Sequence, residues 1–158
     1  MSCLENHISD IVRMEIYLDS QCTFPIPFNV SSKSMALAEG ALSGTPVAAF
    51  SLSPDDGEFV MADYPMVKVS DTRQSAGVVY EHDIQLSVTL RRAEVVNALE
   101  PLYLQDFHVV FTRDDNTKWL SRSLANTSVC NTENTESSSS SLTIKIKLSS
   151  LSALIALS

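Results

Sequence analysis

Glycine is scarce in this chain, four residues in 158, and none stands in a GxGxxG or GxxxxGK arrangement. A phosphate cradle needs closely set glycines ahead of a helix, so nucleotide chemistry of that kind has no loop to sit on. Three cysteines, Cys3, Cys22 and Cys130, cannot all pair with one another, and their spacing fits neither a metal knuckle nor a CxxC redox motif. Reduced thiols and cytoplasmic folding are the expectation. Basic residues number 11 against 19 acidic ones, a formal charge of −8, which repels a bare duplex or an anionic membrane on average. Sequence-specific nucleic-acid binding is therefore not expected. No apolar stretch approaches the roughly 20 residues that cross a bilayer as a helix. The terminal SLSALIALS is about half that length, and reads as a core strand, a packing segment or a subunit contact. The opening MSCLENHISD has no basic segment before an apolar run, so no signal peptide and no membrane partner are expected.

Catalytic constellations are equally thin. His7, His82 and His108 are far apart and lack the clustered ligands of a metal site, and no GxSxG elbow positions a serine nucleophile. Glu81 and Asp83 share a strand face and could serve as a carboxylate pair, but they are read as a solvated charged face. Neither a metal nor a cofactor is expected, and no enzyme activity.

What is present is strand alternation. Between Asp10 and Leu18 the residues Val12, Met14, Ile16 and Leu18 are apolar while Arg13 and Glu15 are charged, which predicts a half-buried strand. Val78 to Leu90 is the clearest case, with Val78, Tyr80, Ile84, Leu86, Val88 and Leu90 on one face. His82 falls on that apolar face and is read as a hydrogen-bonded core histidine. Phe107 to Thr112, a polar Asp114-Asp115-Asn116 turn and Lys118-Trp119-Leu120 read as a hairpin. Leu142, Ile144, Ile146 and Leu148 predict a last long strand. Val95, Ala98, Leu99 and Leu102 instead follow helical spacing from about Arg92 to 104, with Pro101 ending or kinking the helix. Arg91 and Arg92 at its start read as a solvated corner beside Glu94.

Two stretches are weakly patterned. Residues 29–65 hold three of the four glycines and read as a long irregular excursion, with a short helix over Ser34 to Ala41, a strand over Pro46 to Leu52 and a turn over Ser53 to Gly57. Ahead of it, Phe24-Pro25-Ile26-Pro27-Phe28 places prolines among apolar residues, an extended connection, so 19–65 as a whole is extended or irregular. Residues 131–141, NTENTESSSSS, are too polar to pack a core and read as a mobile loop or hairpin tip. The fold class is mainly β: an antiparallel sandwich or barrel-like sheet with one short helix, residues 1–158 forming a single domain.

The element order from Val78 onward resembles that of small bacteriophage tail and neck proteins. The residues that carry it are the strand VVYEHDIQLSVTL, the helix AEVVNALEPL, the hairpin DFHVVFTRDDNTKWLSRS and the strand LTIKIKL. They cover about half of the chain and form a pattern of elements rather than a motif. The resemblance is to tail-tube-associated and head–tail connector proteins, particularly of phages of Bacteroidetes hosts. It implies a virion subunit, made in the bacterial cytoplasm, assembled into a ring by strand edges and extended arms. Its partners would be further copies and other virion proteins, around a channel that DNA crosses. Phe24, Ile26, Phe28 and Trp119 are the interface candidates. Two other classes stay open: a monomeric ligand-binding β-domain using 29–65 as a lid over a deep apolar pocket, and a small hydrolase using two converging carboxylates.

Overall fold

The computed structural model describes residues 10–22, 34–35, 45–54, 58–74, 77–124, 126–135, 141–150 and 154–157. Eleven strands occur among them: β1 Ile11–Leu18, β2 Ser34–Met35, β3 Ala48–Ser51, β4 Phe59–Val60, β5 Met66–Gln74, β6 Gly77–Val88, β7 Phe107–Arg113, β8 Lys118–Ser121, β9 Val129–Thr135, β10 Ser141–Ser150 and β11 Ile155–Leu157. Helix α1, Arg92–Leu99, separates β6 from β7. One sheet has the order β2-β11-β8-β7-β1-β3-β4 and the other β5-β6-β10-β9. The mainly β, two-sheet reading therefore holds, and among the described residues both orders are open, with no barrel closure. Pairing is antiparallel except for the short β3–β4 and β2–β11 contacts.

The sheets share one core. Met14 and Ile16 of β1, Phe50 of β3, Phe107, Val109 and Phe111 of β7, Ile84, Leu86 and Val88 of β6, and Leu142, Ile144 and Ile146 of β10 belong to one buried cluster. Burying each such side chain contributes about 1.5–3 kcal/mol, which is why strict alternation fixes which face of β6 and β10 turns inward. Across the two sheets His82 Nδ1 lies 2.7 Å from Ser121 Oγ, with both residues fully buried. The histidine on the apolar face is thus a hydrogen-bonded core residue, as its position suggests.

Helix α1 ends where Pro101 demands. Its missing N–H and its ring cannot continue an α-helix, and the chain tightens into a 3-10 turn over Glu100–Tyr103. Val95, Leu99 and Leu102 are buried beneath this unit. At the helix start Arg91 adopts φ 55, lies 4.9 Å over the Phe59 ring and pairs with exposed Glu94. The arginine corner is solvated and also clamps α1 onto β4.

Four expectations need correction. Residues 34 and 35 form β2 rather than starting a helix, because they find a parallel partner in β11; 36–41 lie outside the described residues. Within 29–65 the strand expected over Pro46 to Leu52 is present as β3, buried at every position, and it is joined by β4, a strand not expected there. Residues 131–135 are strand rather than loop, hydrogen-bonded along β10; an end strand tolerates polar side chains because its outer face is wet. In β1 the core residue is Ile11 and not Val12, because a register shift between Ile11 and Arg13 places two residues of β1 against one of β7. Such a bulge turns the chain by one residue and brings Ile11 onto the face of Met14.

Candidate assembly interface

The two sheets end very differently. The seven-stranded sheet terminates in β2 and β4, two residues each. The four-stranded sheet terminates in β5 and β9, nine and seven residues long. An end strand carries a row of N–H and C=O groups that its own sheet does not pair, a template for a further strand. Among the described residues nothing pairs with the outer side of β5 or β9, so the four-stranded sheet presents a template at both ends. Gly77, with φ +131, opens β6 in a conformation that side chains resist. From there β6 pairs with β5 over Gln74 to Met66 but with β10 only as far as Tyr80. The β5–β6 hairpin consequently projects beyond β10.

Side chains on the outer face of this sheet form rows across the register. Lys68 stands opposite Asp83, which stands opposite Lys147, and Met66, Gln85 and Lys145 form the adjoining row. Lys147 Nζ is 3.7 Å from Asp83 and Lys145 Nζ is 3.2 Å from Glu133 of β9. Among the described residues Lys68 forms no ion pair. These six residues, Met66, Lys68, Asp83, Gln85, Lys145 and Lys147, line a surface cleft of about 320 Å³. Asp83 is therefore part of a charge-paired surface, and Glu81, on the same face, is exposed. At the two edges of that surface Met66 and Val129 expose 69% and 49% of their area, unusual for apolar residues on a wet sheet.

No family model matches the chain, and no curated protein or solved structure is similar to it. The reading of the interface rests on its own residues.

Trp119 sits on β8 between β7 and β11, half-buried and packed against the core. Its strand has neighbours on both sides, so it offers no open edge. Phe24, Ile26 and Phe28 lie outside the described residues. Of the four sequence candidates the structure describes Trp119 alone, on neither β5 nor β9.

The chemistry-bearing groups elsewhere are committed to structure. His108 is buried, its Nε2 lies 2.7 Å from Asp19 Oδ1, and its Nδ1 accepts the Ser123 N–H at 3.1 Å. The second bond fixes the tautomer: Nε2 carries the proton and donates it to Asp19. Burial holds the His108 pKa below its ordinary value, against the raising influence of Asp19. Protonation at Nδ1 would also cost the Ser123 bond. Because the folded pKa is depressed, the neutral ring contributes stability that is full above pH about 6.5 and is lost as pH falls toward the folded value. Urea midpoints are accordingly expected to fall between pH 7.5 and 5.5 by more in the wild-type chain than in His108→Gln; equal slopes would place the titration elsewhere.

Burial pushes the Cys22 thiol up to about 11, with the Asp19 charge adding to it, and burial alone lifts Cys130 to about 11. Both are thiols at neutral pH, not nucleophilic thiolates. Glu15 and Glu58 converge, but on the Arg13 guanidinium, and the Tyr17 hydroxyl donates to Glu15 at 2.9 Å. These two carboxylates are thus held by a cation. Among the described residues no three His, Cys, Asp or Glu side chains group as metal ligands, and no helix is long and apolar enough to cross a membrane.

Proposed function

We propose that this chain is a non-enzymatic assembly subunit that joins its neighbours by strand-edge pairing through the open ends of its four-stranded sheet. The observation that carries this reading is the contrast between the two sheets: strands of two residues close one, strands of nine and seven residues leave the other open. Long exposed edges are normally shortened, bulged or covered. The resemblance of the element order from Val78 onward supplies the setting, a ring in a bacteriophage tail or neck, built in the host cytoplasm and retained in the virion. Partners would be further copies and neighbouring virion proteins. A formal charge of −8 suits a subunit near passing DNA, because it disfavours sticking. The extended segment containing Phe24, Ile26 and Phe28 would serve as an arm on a neighbour.

Light scattering of the purified chain across a hundredfold concentration range tests this. Mass rising with concentration to a closed multiple is expected. A monomer at every concentration would overturn self-assembly.

A further inference from the structure

Resting on that reading, we infer that the contact is heterologous, β9 of one copy pairing antiparallel with β5 of the next so that Glu133 faces Lys68.

Direction comes first. Each strand of the four-stranded sheet is antiparallel to its neighbour, so β5 and β9, three steps apart, run in opposite directions. Setting one copy beside another without inverting it brings β9 against β5 as a further antiparallel pair, continuing the ladder of both sheets. The face must also match. On β5 the buried side chains are Val67 and Val69, and on β9 the buried one is Cys130, so even positions of β5 share the outer face with odd positions of β9. A register that mixed them would turn the core row of one copy to water.

Two registers keep that match and pair all seven residues of β9. One places Glu133 opposite Lys68, Asn131 opposite Ser70 and Thr132 opposite Val69. The other slides β9 by two residues along β5, leaving Glu133 opposite Ser70 and Thr132 opposite Asp71. Opposite charges directly across a strand pair are favourable, and so are β-branched neighbours. The first register supplies both. It also brings a second acid to Lys68, which stands across from Asp83 but forms no ion pair among the described residues, and Glu133 stays within reach of Lys145 on its other side. Because the two patches differ, the contact is not self-complementary, and its repetition yields a ring or an open filament rather than a dimer.

Cysteine cross-linking tests the register, with Ser70→Cys and Asn131→Cys placed together and singly in a Cys3→Ser background. Directly opposed residues in an antiparallel pair lie about 4.5–5.5 Å apart between Cα atoms, within disulfide range. Under mild oxidation the double variant is expected to form a reducible ladder of multimers, with neither single variant doing so. Dimers from Asn131→Cys alone, or from Ser70→Cys alone, would show like edges pairing and overturn the inference while leaving edge assembly intact. Association in light scattering with no cross-link in the double variant would likewise overturn it. A chain that stays monomeric would sink the underlying reading instead. Glu133→Lys is expected to weaken association roughly fivefold, and Lys68→Glu added to it to restore most of the loss; absence of rescue would count against the ion pair.

Discussion

Phe50→Ala is expected to lower the unfolding free energy by about 3–5 kcal/mol, a drop of roughly 10 °C or more in Tm for a chain of this size. The ring is fully buried and packs 5.6 Å from Phe59, tilted by 38°. Its strand is flanked on one side by β1, where Met14 is its partner, and on the other by β4. Truncation removes transfer energy and leaves a cavity that two strands cannot close without breaking pairing. Leu104, 91% exposed, supplies the contrast: its alanine variant should change stability by less than about 0.5 kcal/mol. A loss below 1 kcal/mol at Phe50 would mean that the 45–61 stretch is not part of the core.

Arg13→Ala is expected to cost about 2–3 kcal/mol. Removing one partner of a buried ion pair leaves the other charge uncompensated, typically at about 3–5 kcal/mol. The figure here is lower because the Arg13 side chain is 31% exposed and water can partly replace it. Glu58 and Glu15 are the carboxylates left behind, with side chains only 7% and 12% exposed. Adding Glu58→Gln to Arg13→Ala should recover part of the loss, since a neutral amide needs no counter-charge. Urea denaturation of the two variants measures this, and a double variant no better than the single would show that charge is not what Arg13 supplies.

Sequence periodicity makes the centre of this fold legible and its margins opaque. Strands β6, β7 and β10 were visible because one face of each is core and the other water, or because a polar turn separates them from a partner. At Asn116, whose φ is 68, the hairpin turn uses a residue that tolerates the left-handed region. Strand β5 escaped notice because only Val67 and Val69 face the core, while Met66 breaks the alternation and Asp71 to Arg73 are exposed. Strand β9 carries no strand signature in the sequence because Cys130 alone supplies apolar burial. Leu90 looked like the last core position of β6, yet the strand stops at Val88 and Leu90 is exposed.

The end strands of the four-stranded sheet are less legible than its core, for a physical reason. An open edge is a property of strand order, formed by backbone groups that every residue possesses. Nothing in MVKVSDTRQ marks it as terminal in its sheet. Aromatic residues next to prolines attract attention as anchors, but the contrast between long and short end strands exists only once the sheets are assembled. That β5 and β9 end their sheet is therefore not legible in the sequence.

Amide hydrogen exchange, compared between a dilute and a concentrated sample, asks the central question most directly. Edge pairing is expected to slow exchange at alternate amides of both β5 and β9 on association, with β2 and β4 unchanged. Association that slows exchange elsewhere and leaves β5 and β9 as open as in the monomer would contradict it.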